Sequence, residues 1–446
     1  MSESYGCDHA PRQNTQKKQL LSDQNLMRRI ILSGIFVFSF AVIGSSQSNG
    51  QKPNPGSSRV IVTSTMPPIQ PAKVPQPVIS SLPRPTPTPI VVGPRSTVPD
   101  QPVATNFRSL SFSQLKAKIA EAKRQMLVKP MNTASVQPTQ PNSMVRIAYY
   151  DWSEKQIDYI VISKDQFLTA NVQSSAISTR GRTMLTRTIR ANGVNTPVVI
   201  TDTNGQAELP LLVQYPVEKG GKYIETAYYM STHPGLVTPE VVGAGRMYVH
   251  NVIEIAREKL RARGFAVQPK VADIAERLAA VEHVDHTRFK TEMPSAVFND
   301  IFTLYALNEG QTYRYSVSTA GAGGMVQMIP STYAMIRAHY PTVGLMPDFV
   351  EGMRNHVNAT QAMLLYMQMT WNDLLANATV SNAFQSRIAT QEQLMAVGYN
   401  SNPAKIAGYI NRSGSAWTSL IPRETKLYLQ VFSELERAVP ATPRTK

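Results

Sequence analysis

The sequence has almost no cysteine, since Cys7 is the only one among 446 residues. A single thiol excludes an internal disulfide framework and a cysteine-based metal site. Cys7 also precedes the apolar run at residues 30–44, so the chain after that run carries no thiol. That composition suits an oxidising compartment.

The long C-terminal part of the chain has little net charge. Residues 144–446 carry a net charge of only +4, although the whole chain carries +15. A surface that binds nucleic acid needs its own excess of lysine and arginine, so nucleic acid is not an expected partner. The remaining positive charge precedes residue 144 and fits a general attraction to an anionic cell envelope.

One apolar run suggests export. Ile30–Gly44 is uncharged over 15 residues and follows Arg28 and Arg29. This length is short for a membrane-spanning helix and long for the core of a signal peptide. Because basic flanks stay in the cytoplasm, we predict a cytoplasmic segment at residues 1–29 and a single-pass anchor in a bacterial inner membrane at residues 30–46. The alternative is cleavage near Gly44 and secretion. In either case the rest of the chain is expected outside the cytoplasm, in the periplasm if the anchor is retained.

A proline-rich stretch and a basic helix follow. Residues 51–105 contain 14 of the 32 prolines, which predicts an extended linker over residues 47–105. Residues 106–143 should form a basic amphipathic helix and a second linker. The apolar residues at helical spacing are Phe112, Leu115, Ile119, Ala122 and Met126. We expect this helix to dock on the folded part of the chain.

The rest of the chain predicts a multi-domain fold, with a small mostly-β domain before a C-terminal all-α domain. Residues 144–250 should form the β-rich domain, whose role the sequence does not reveal. Its predicted strands cover residues 144–152, 157–163, 197–201, 211–217 and 223–230. Residues 251–293 should be a helical connector with helices over 251–264 and 271–286. Residues 294–446 should form the C-terminal all-α domain, which contains the motifs described below.

Glu309 lies at the end of a predicted helix. Ser295 is a candidate N-cap for a helix that runs to about Asn308. The aromatic residues that precede Glu309 at helical spacing are Phe298, Phe302 and Tyr305. A carboxyl group held against apolar side chains has a raised pKa, because desolvation disfavours the charged form, and a general acid at neutral pH needs the protonated form. Position alone leaves open the alternative that Glu309 ends its helix in solvent.

The segment after Glu309 carries a recognisable pattern. Residues 309–332 read EGQTYRYSVSTAGAGGMVQMIPST. This segment resembles the catalytic signature of lytic transglycosylases of the soluble type, which share the goose-type lysozyme fold. That signature is a glutamate at a helix end, a serine nine residues later, and an Ala-Gly-Ala-x-Gly-x-x-Gln-x-x-Pro-x-Thr run. The matching positions are Ser318, Gly321, Ala322, Gly324, Gln327, Pro330 and Thr332.

Two later motifs occur in the order that this family has. Tyr399-Asn400 with Pro403 resembles its Ala-Tyr-Asn-Ala-Gly-Pro segment, and residues 422–428 resemble its Pro-x-Glu-Thr-x-x-Tyr segment. The resemblance covers about residues 295–439. The chain differs from the family at three positions, which are Gly310, Val326 and Asn402.

The resemblance implies a peptidoglycan lytic transglycosylase that cleaves the β-1,4 bond between N-acetylmuramic acid and N-acetylglucosamine. Glu309 would protonate the glycosidic oxygen while the sugar's N-acetyl group stabilises C1. Glu309 would then accept the proton of the C6 hydroxyl as a 1,6-anhydro ring closes. The implied substrate-binding residues are Ser318, Gln327, Tyr399, Asn400 and Met325. The implied supporting residues are Glu424, Gly321, Gly324 and Tyr428.

The expected number of catalytic carboxylates agrees with this route. Most glycosidases place two carboxylates around the scissile bond, but no Asp or Glu occurs between Glu309 and Asp348. Two alternatives stay open. One is a muramidase, in which water attacks instead of the C6 hydroxyl. The other is a non-catalytic glycan-binding scaffold of an envelope-spanning secretion or conjugation apparatus.

We expect neither a metal nor a cofactor. Residues 282–286 read EHVDH, with two histidines three residues apart, but a charged helix end of this kind is usually solvated and no His-Glu-x-x-His pattern occurs. Tyr313 and Tyr315 either stack on sugar faces or pack inward. The expected partners are therefore peptidoglycan glycan strands and the inner membrane, with an envelope apparatus as a further candidate.

Overall fold

The structure, a computed structural model, describes residues 107–129 and 143–445. The predicted membrane segment at residues 30–46 and the predicted linker at residues 47–105 lie outside these ranges. Among the helices of the described ranges, none has the length and apolar character needed to cross a membrane.

Short β-branched and aromatic segments form one curled antiparallel sheet of seven strands. The strands are β1 (Met144–Asp151), β2 (Gln156–Ser163), β3 (Gln173–Ile177), β4 (Thr183–Thr188), β5 (Val198–Asp202), β6 (Ala207–Lys219) and β7 (Lys222–Tyr229). Their order is β2-β1-β6-β5-β4-β3, and β7 pairs with β6. The long strand β6 pairs with β5 at its start, with β1 in its middle and with β7 at its end.

The strands β3 and β4 were absent from the sequence-based prediction. Both are short and rich in Ser, Thr, Gln and Arg, and β4 buries only every second residue. Polar strands of this kind lack the apolar run that marks a buried strand. The two ends of the strand order, β2 and β3, nevertheless come together. The Thr179 N–H just after β3 donates to the Tyr159 carbonyl of β2 over 2.9 Å.

The amphipathic helix is α1 (Phe112–Val128), and it packs on the outer face of the sheet. Ser111 caps it in a capping box with Gln114. Leu115, Ala122 and Met126 are buried, in a cluster with residues of β1 and β6. The Arg146 guanidinium of β1 donates to the carbonyl oxygens of Met126 and Lys129, over 2.8 and 2.7 Å. At the other end the Phe112 N–H donates to the Glu240 carboxylate over 3.0 Å, so both ends of α1 are bound to the folded body.

The helices other than α1 and α2 follow the sheet and continue to the end of the described chain. The short helix α2 (Lys164–Leu168) lies between β2 and β3. The others are α3 (Pro239–Arg261), α4 (Pro269–Val281), α5 (His286–Thr291), α6 (Pro294–Asn308), α7 (Pro330–His339), α8 (Phe349–Arg354), α9 (His356–Ala376), α10 (Ala378–Gln385), α11 (Gln391–Asn400), α12 (Ile406–Ser413) and α13 (Arg423–Ala438).

The helix α3 joins the sheet to the helical region without a break. The boundary predicted at residue 250 falls inside it. A Cβ atom at Gly245 would overlap the carbonyl oxygen of Phe302, so the backbones of α3 and α6 touch where they cross. One hydrophobic core contains residues of the sheet and of the helices together. The predicted connector at residues 251–293 is therefore part of the packed core.

Candidate active site

The glycine-rich segment forms a tight loop over residues 316–328, which we call the motif loop. Ser318 closes its first turn, since its N–H donates to the Ala322 carbonyl over 2.9 Å and its hydroxyl accepts from the Ala322 N–H over 3.0 Å. Gly324 has a φ of 66°, which favours glycine. A Cβ atom there would also overlap the carbonyl oxygen of Met353, the last residue but one of α8. The loop therefore packs directly against the backbone of α8.

The predicted substrate-binding residues of this loop have different environments. Ser318 is exposed at the turn. The Gln327 amide group donates to the Gly324 carbonyl over 2.9 Å and to the Ser316 hydroxyl over 3.3 Å, so this side chain stabilises the loop. Met325 was predicted to contact the sugar, but its side chain is fully buried in the core. An apolar side chain gains more from the core than from a polar cleft, which corrects that prediction.

The second motif contacts the motif loop. Tyr399, in the last turn of α11, donates its hydroxyl hydrogen to the Val326 carbonyl over 2.6 Å. Asn400 ends α11 and is partly exposed. Burial raises the pKa of Tyr399, and the carboxyl group of Glu282 raises it further. The prediction that Tyr399 faces Glu309 has no counterpart among these interactions.

The third motif also converges on Glu282. Tyr428 is buried in α13 and donates its hydroxyl hydrogen to Oε1 of Glu282 over 2.5 Å. Glu424 is exposed in the first turn of the same helix, and its charge acts on Glu282. Glu424 and Tyr428 were predicted to support the site, and the carboxyl group beside them is Glu282.

Glu282 has the properties of an acid held neutral. It follows the last residue of α4, retains partial solvent access and is otherwise deeply enclosed by protein. Burial raises its pKa to about 8, against which the Tyr428 hydroxyl acts in the opposite direction. A carboxyl group with this pKa carries a proton at neutral pH and can donate it.

His283 connects Glu282 to the motif loop. Its Nε2 atom lies 2.9 Å from the Met325 carbonyl oxygen, which can only accept, so Nε2 carries the hydrogen. Burial lowers the pKa of His283 to about 3, so the ring is neutral at physiological pH. The ring stacks on Tyr313, with centroids 3.4 Å apart. Tyr313 thus packs inward, one of the two alternatives that the sequence left open.

Glu309 has a different environment from the one predicted. The helix α6 begins with Pro294 after Met293, not at a Ser295 cap, and its aromatic stripe is buried. Glu309 itself has φ 37° and ψ −119°, and its side chain is 47% exposed. Its carboxylate forms an ion pair with Lys116 of α1. The apolar enclosure expected for Glu309 is not found.

Glu282 and His283 belong to the segment EHVDH, for which the sequence offered a metal site or, as the expected alternative, a solvated helix end. Within residues 107–129 and 143–445, no group of three His, Cys, Asp or Glu residues could hold a metal ion. The signal that could have identified Glu282 is a glutamate directly after the apolar helix end Leu278–Val281, the same position that Glu309 has after α6.

Comparisons with protein-family models, curated proteins and solved structures give no match for this chain.

Proposed function

We propose that this chain is a peptidoglycan lytic transglycosylase whose general acid and base is Glu282. The observation that carries the proposal is that the three family-like motifs meet around Glu282 and its neighbour His283. Tyr428 donates to Glu282, the adjacent His283 bonds to the motif loop at Met325, and Tyr399 bonds to the same loop at Val326. This proposal transfers the acid from Glu309, the sequence-based prediction, to Glu282.

Glu282 supplies both proton transfers of the proposed reaction. Its protonated form donates to the glycosidic oxygen after N-acetylmuramic acid, and the bond between that oxygen and C1 breaks. The N-acetyl group of the same sugar stabilises C1, as the family resemblance implies. The resulting Glu282 carboxylate accepts the proton of the C6 hydroxyl, whose oxygen attacks C1 and closes the 1,6-anhydro ring. Proton donation and acceptance by one group balance over the cycle.

The Tyr428 hydroxyl makes this change of charge possible. A hydrogen bond from a neutral donor is stronger to a carboxylate than to a carboxylic acid. It therefore stabilises Glu282 after the first proton transfer, while the surrounding protein favours the neutral acid before it. Ser318 at the exposed turn and Asn400 at the end of α11 remain the proposed contacts for sugar groups.

The product distinguishes this function from its alternatives. We expect purified protein to release fragments from peptidoglycan sacculi that end in 1,6-anhydro-N-acetylmuramic acid, one water lighter than hydrolysis products. Mass spectrometry measures that difference directly. The intramolecular C6 hydroxyl is the favoured nucleophile because it has a large effective concentration.

Mainly reducing ends would identify a muramidase, with a carboxylate that activates water. Asp348 caps α8 and Glu351 pairs with Arg354, so Glu424, whose charge acts on Glu282, is then the best placed. Absence of any fragments from folded protein would favour a glycan-binding scaffold. The periplasmic location and the inner-membrane anchor remain part of the proposal, and fractionation with an N-terminal tag tests them.

A further inference from the structure

Strand β7 lies beside the segment that leads into the motif loop. The Tyr313 N–H donates to the Tyr229 hydroxyl oxygen over 3.2 Å, and the Tyr229 and Tyr315 rings meet edge to face with centroids 6.3 Å apart. After β7, Met230 exchanges two hydrogen bonds of 2.9 Å with the Asn308 side chain. The sheet therefore has direct bonds to the chain between α6 and the motif loop.

Glu225, in the middle of β7, binds two arginines from separate parts of the helical region. Its Oε2 atom accepts from Arg314 over 3.1 Å, and its Oε1 atom accepts from Arg354 over 3.0 Å. The side chains of all three residues are between 23% and 28% exposed. One carboxylate thus holds two guanidinium groups in a mostly covered position, where an ion pair is stronger than at an open surface.

Each arginine lies close in sequence to a residue whose carbonyl oxygen contacts Gly324 of the motif loop. Arg314 lies two residues before Ser316, whose carbonyl oxygen accepts from the Gly324 N–H over 3.2 Å. Arg354 follows Met353, whose carbonyl oxygen packs against Gly324 so closely that no Cβ fits between them. Glu225 therefore ties together the two backbone segments that contact Gly324 from different sides.

We propose that Glu225 is a positioning residue for the reaction, and that the sheet thereby belongs to the working site. This inference rests on the proposed function, because it concerns the placement of the loop beside Glu282. Misplacement of a catalytic constellation by about 1 Å costs about 100-fold in rate. In Glu225→Gln one of the two acceptors becomes an NH₂ group, which cannot bind a guanidinium.

The test compares Glu225→Gln with Glu218→Gln. Glu218 of β6 forms an ion pair of 2.9 Å with Lys164, a contact within the β region, and its side chain is 31% exposed. For Glu225→Gln we expect kcat on soluble glycan strands to fall by about 10-fold, with KM changed by less than about 3-fold. The pH at which activity declines should not move, because Glu225 does not contact Glu282. Glu218→Gln should match the wild type.

Hydrogen exchange supplies a readout that does not depend on activity. The amides of residues 316–328 should exchange faster in Glu225→Gln, while amides of the remaining helical region keep their protection. Equal kinetics and equal loop exchange in the two variants would overturn the inference. So would faster exchange throughout the domain, since that would mean a loss of stability alone. If the wild type does not cleave glycan, the proposed function fails, and loop exchange still decides whether Glu225 holds the loop.

Discussion

Glu282 and Glu309 occupy equivalent positions on two helices, and their environments are opposite. Each follows the last residue of an apolar helix, α4 or α6. Glu282 keeps right-handed backbone angles and lies among buried tyrosines, whereas Glu309 has a left-handed φ and pairs with Lys116 at the surface. A helix end alone therefore does not determine the chemistry of a glutamate. The element that covers the end determines it, α13 for Glu282 and α1 for Glu309.

The largest expected effect is the difference in activity between the variants Glu282→Gln and Glu309→Gln. Glutamine keeps the shape but cannot donate a proton to the glycosidic oxygen. We expect Glu282→Gln to lower the rate of sacculus digestion by about 10²–10⁴-fold, with a melting temperature no lower than that of the wild type at neutral pH. Glu309→Gln serves as the matched control and should keep most of the activity. The reverse result would restore Glu309 as the acid.

The second difference is in the response to pH. Because the pKa of Glu282 is about 8 in the folded protein, kcat/KM should decline as the pH rises through about 8. Tyr428→Phe removes a donor to the charged form, so the decline should shift to higher pH. Activity measured between pH 5 and 10 gives both positions. A decline that Tyr428→Phe does not move would argue against Glu282 as the titrating group.

The same group makes stability depend on pH. The folded pKa of Glu282 is above its ordinary value of 4.5, so the folded state binds more protons than the unfolded state between these two values. The contribution of Glu282 to stability is fully present below about pH 4.5 and is lost as the pH rises through about 8. The melting temperature of the wild type should therefore fall relative to that of Glu282→Gln as the pH rises across this range.

The smallest expected effect concerns the backbone at Glu309. Its φ of 37° is favourable only for glycine. We expect Glu309→Gly to be more stable than Glu309→Ala by about 1 kcal/mol, as measured by urea unfolding. Both variants lose the ion pair with Lys116, so the comparison isolates the backbone. Equal stabilities would mean that the chain relaxes to ordinary angles when the carboxylate is absent.

The motifs recognised in the sequence contain the loop and the two tyrosines of the candidate site, but not the proposed acid. The family resemblance implies Ser318, Gln327, Tyr399 and Tyr428, because each lies within a short local motif that can be read from the sequence. The environment of Glu282 depends on α13, about 140 residues later in the chain, through the bond from Tyr428. No local pattern encodes such a contact.

The sheet shows a similar limit. Strands with apolar alternation were predicted, whereas β3 and β4 are recognisable only from their pairing, β4 with β5 and β3 with β4. The helical start at Pro239 was also missed, because valines and two glycines near the beginning of α3 resemble a strand and a turn. These residues are favourable in α3 because Val241, Val242 and Gly245 are buried there against neighbouring elements.

The contact of two backbones at Gly245 has a consequence for how this chain can be divided into fragments. A fragment that began at residue 294, or at residue 251, would leave the crossing face of α6 without the part of α3 that covers it at Phe302. Such a fragment would expose apolar surface and lose the strand that carries Glu225. The helical region is thus not separable from the sheet, and any transfer of the proposed activity to another protein must move α1, the sheet and the helices together.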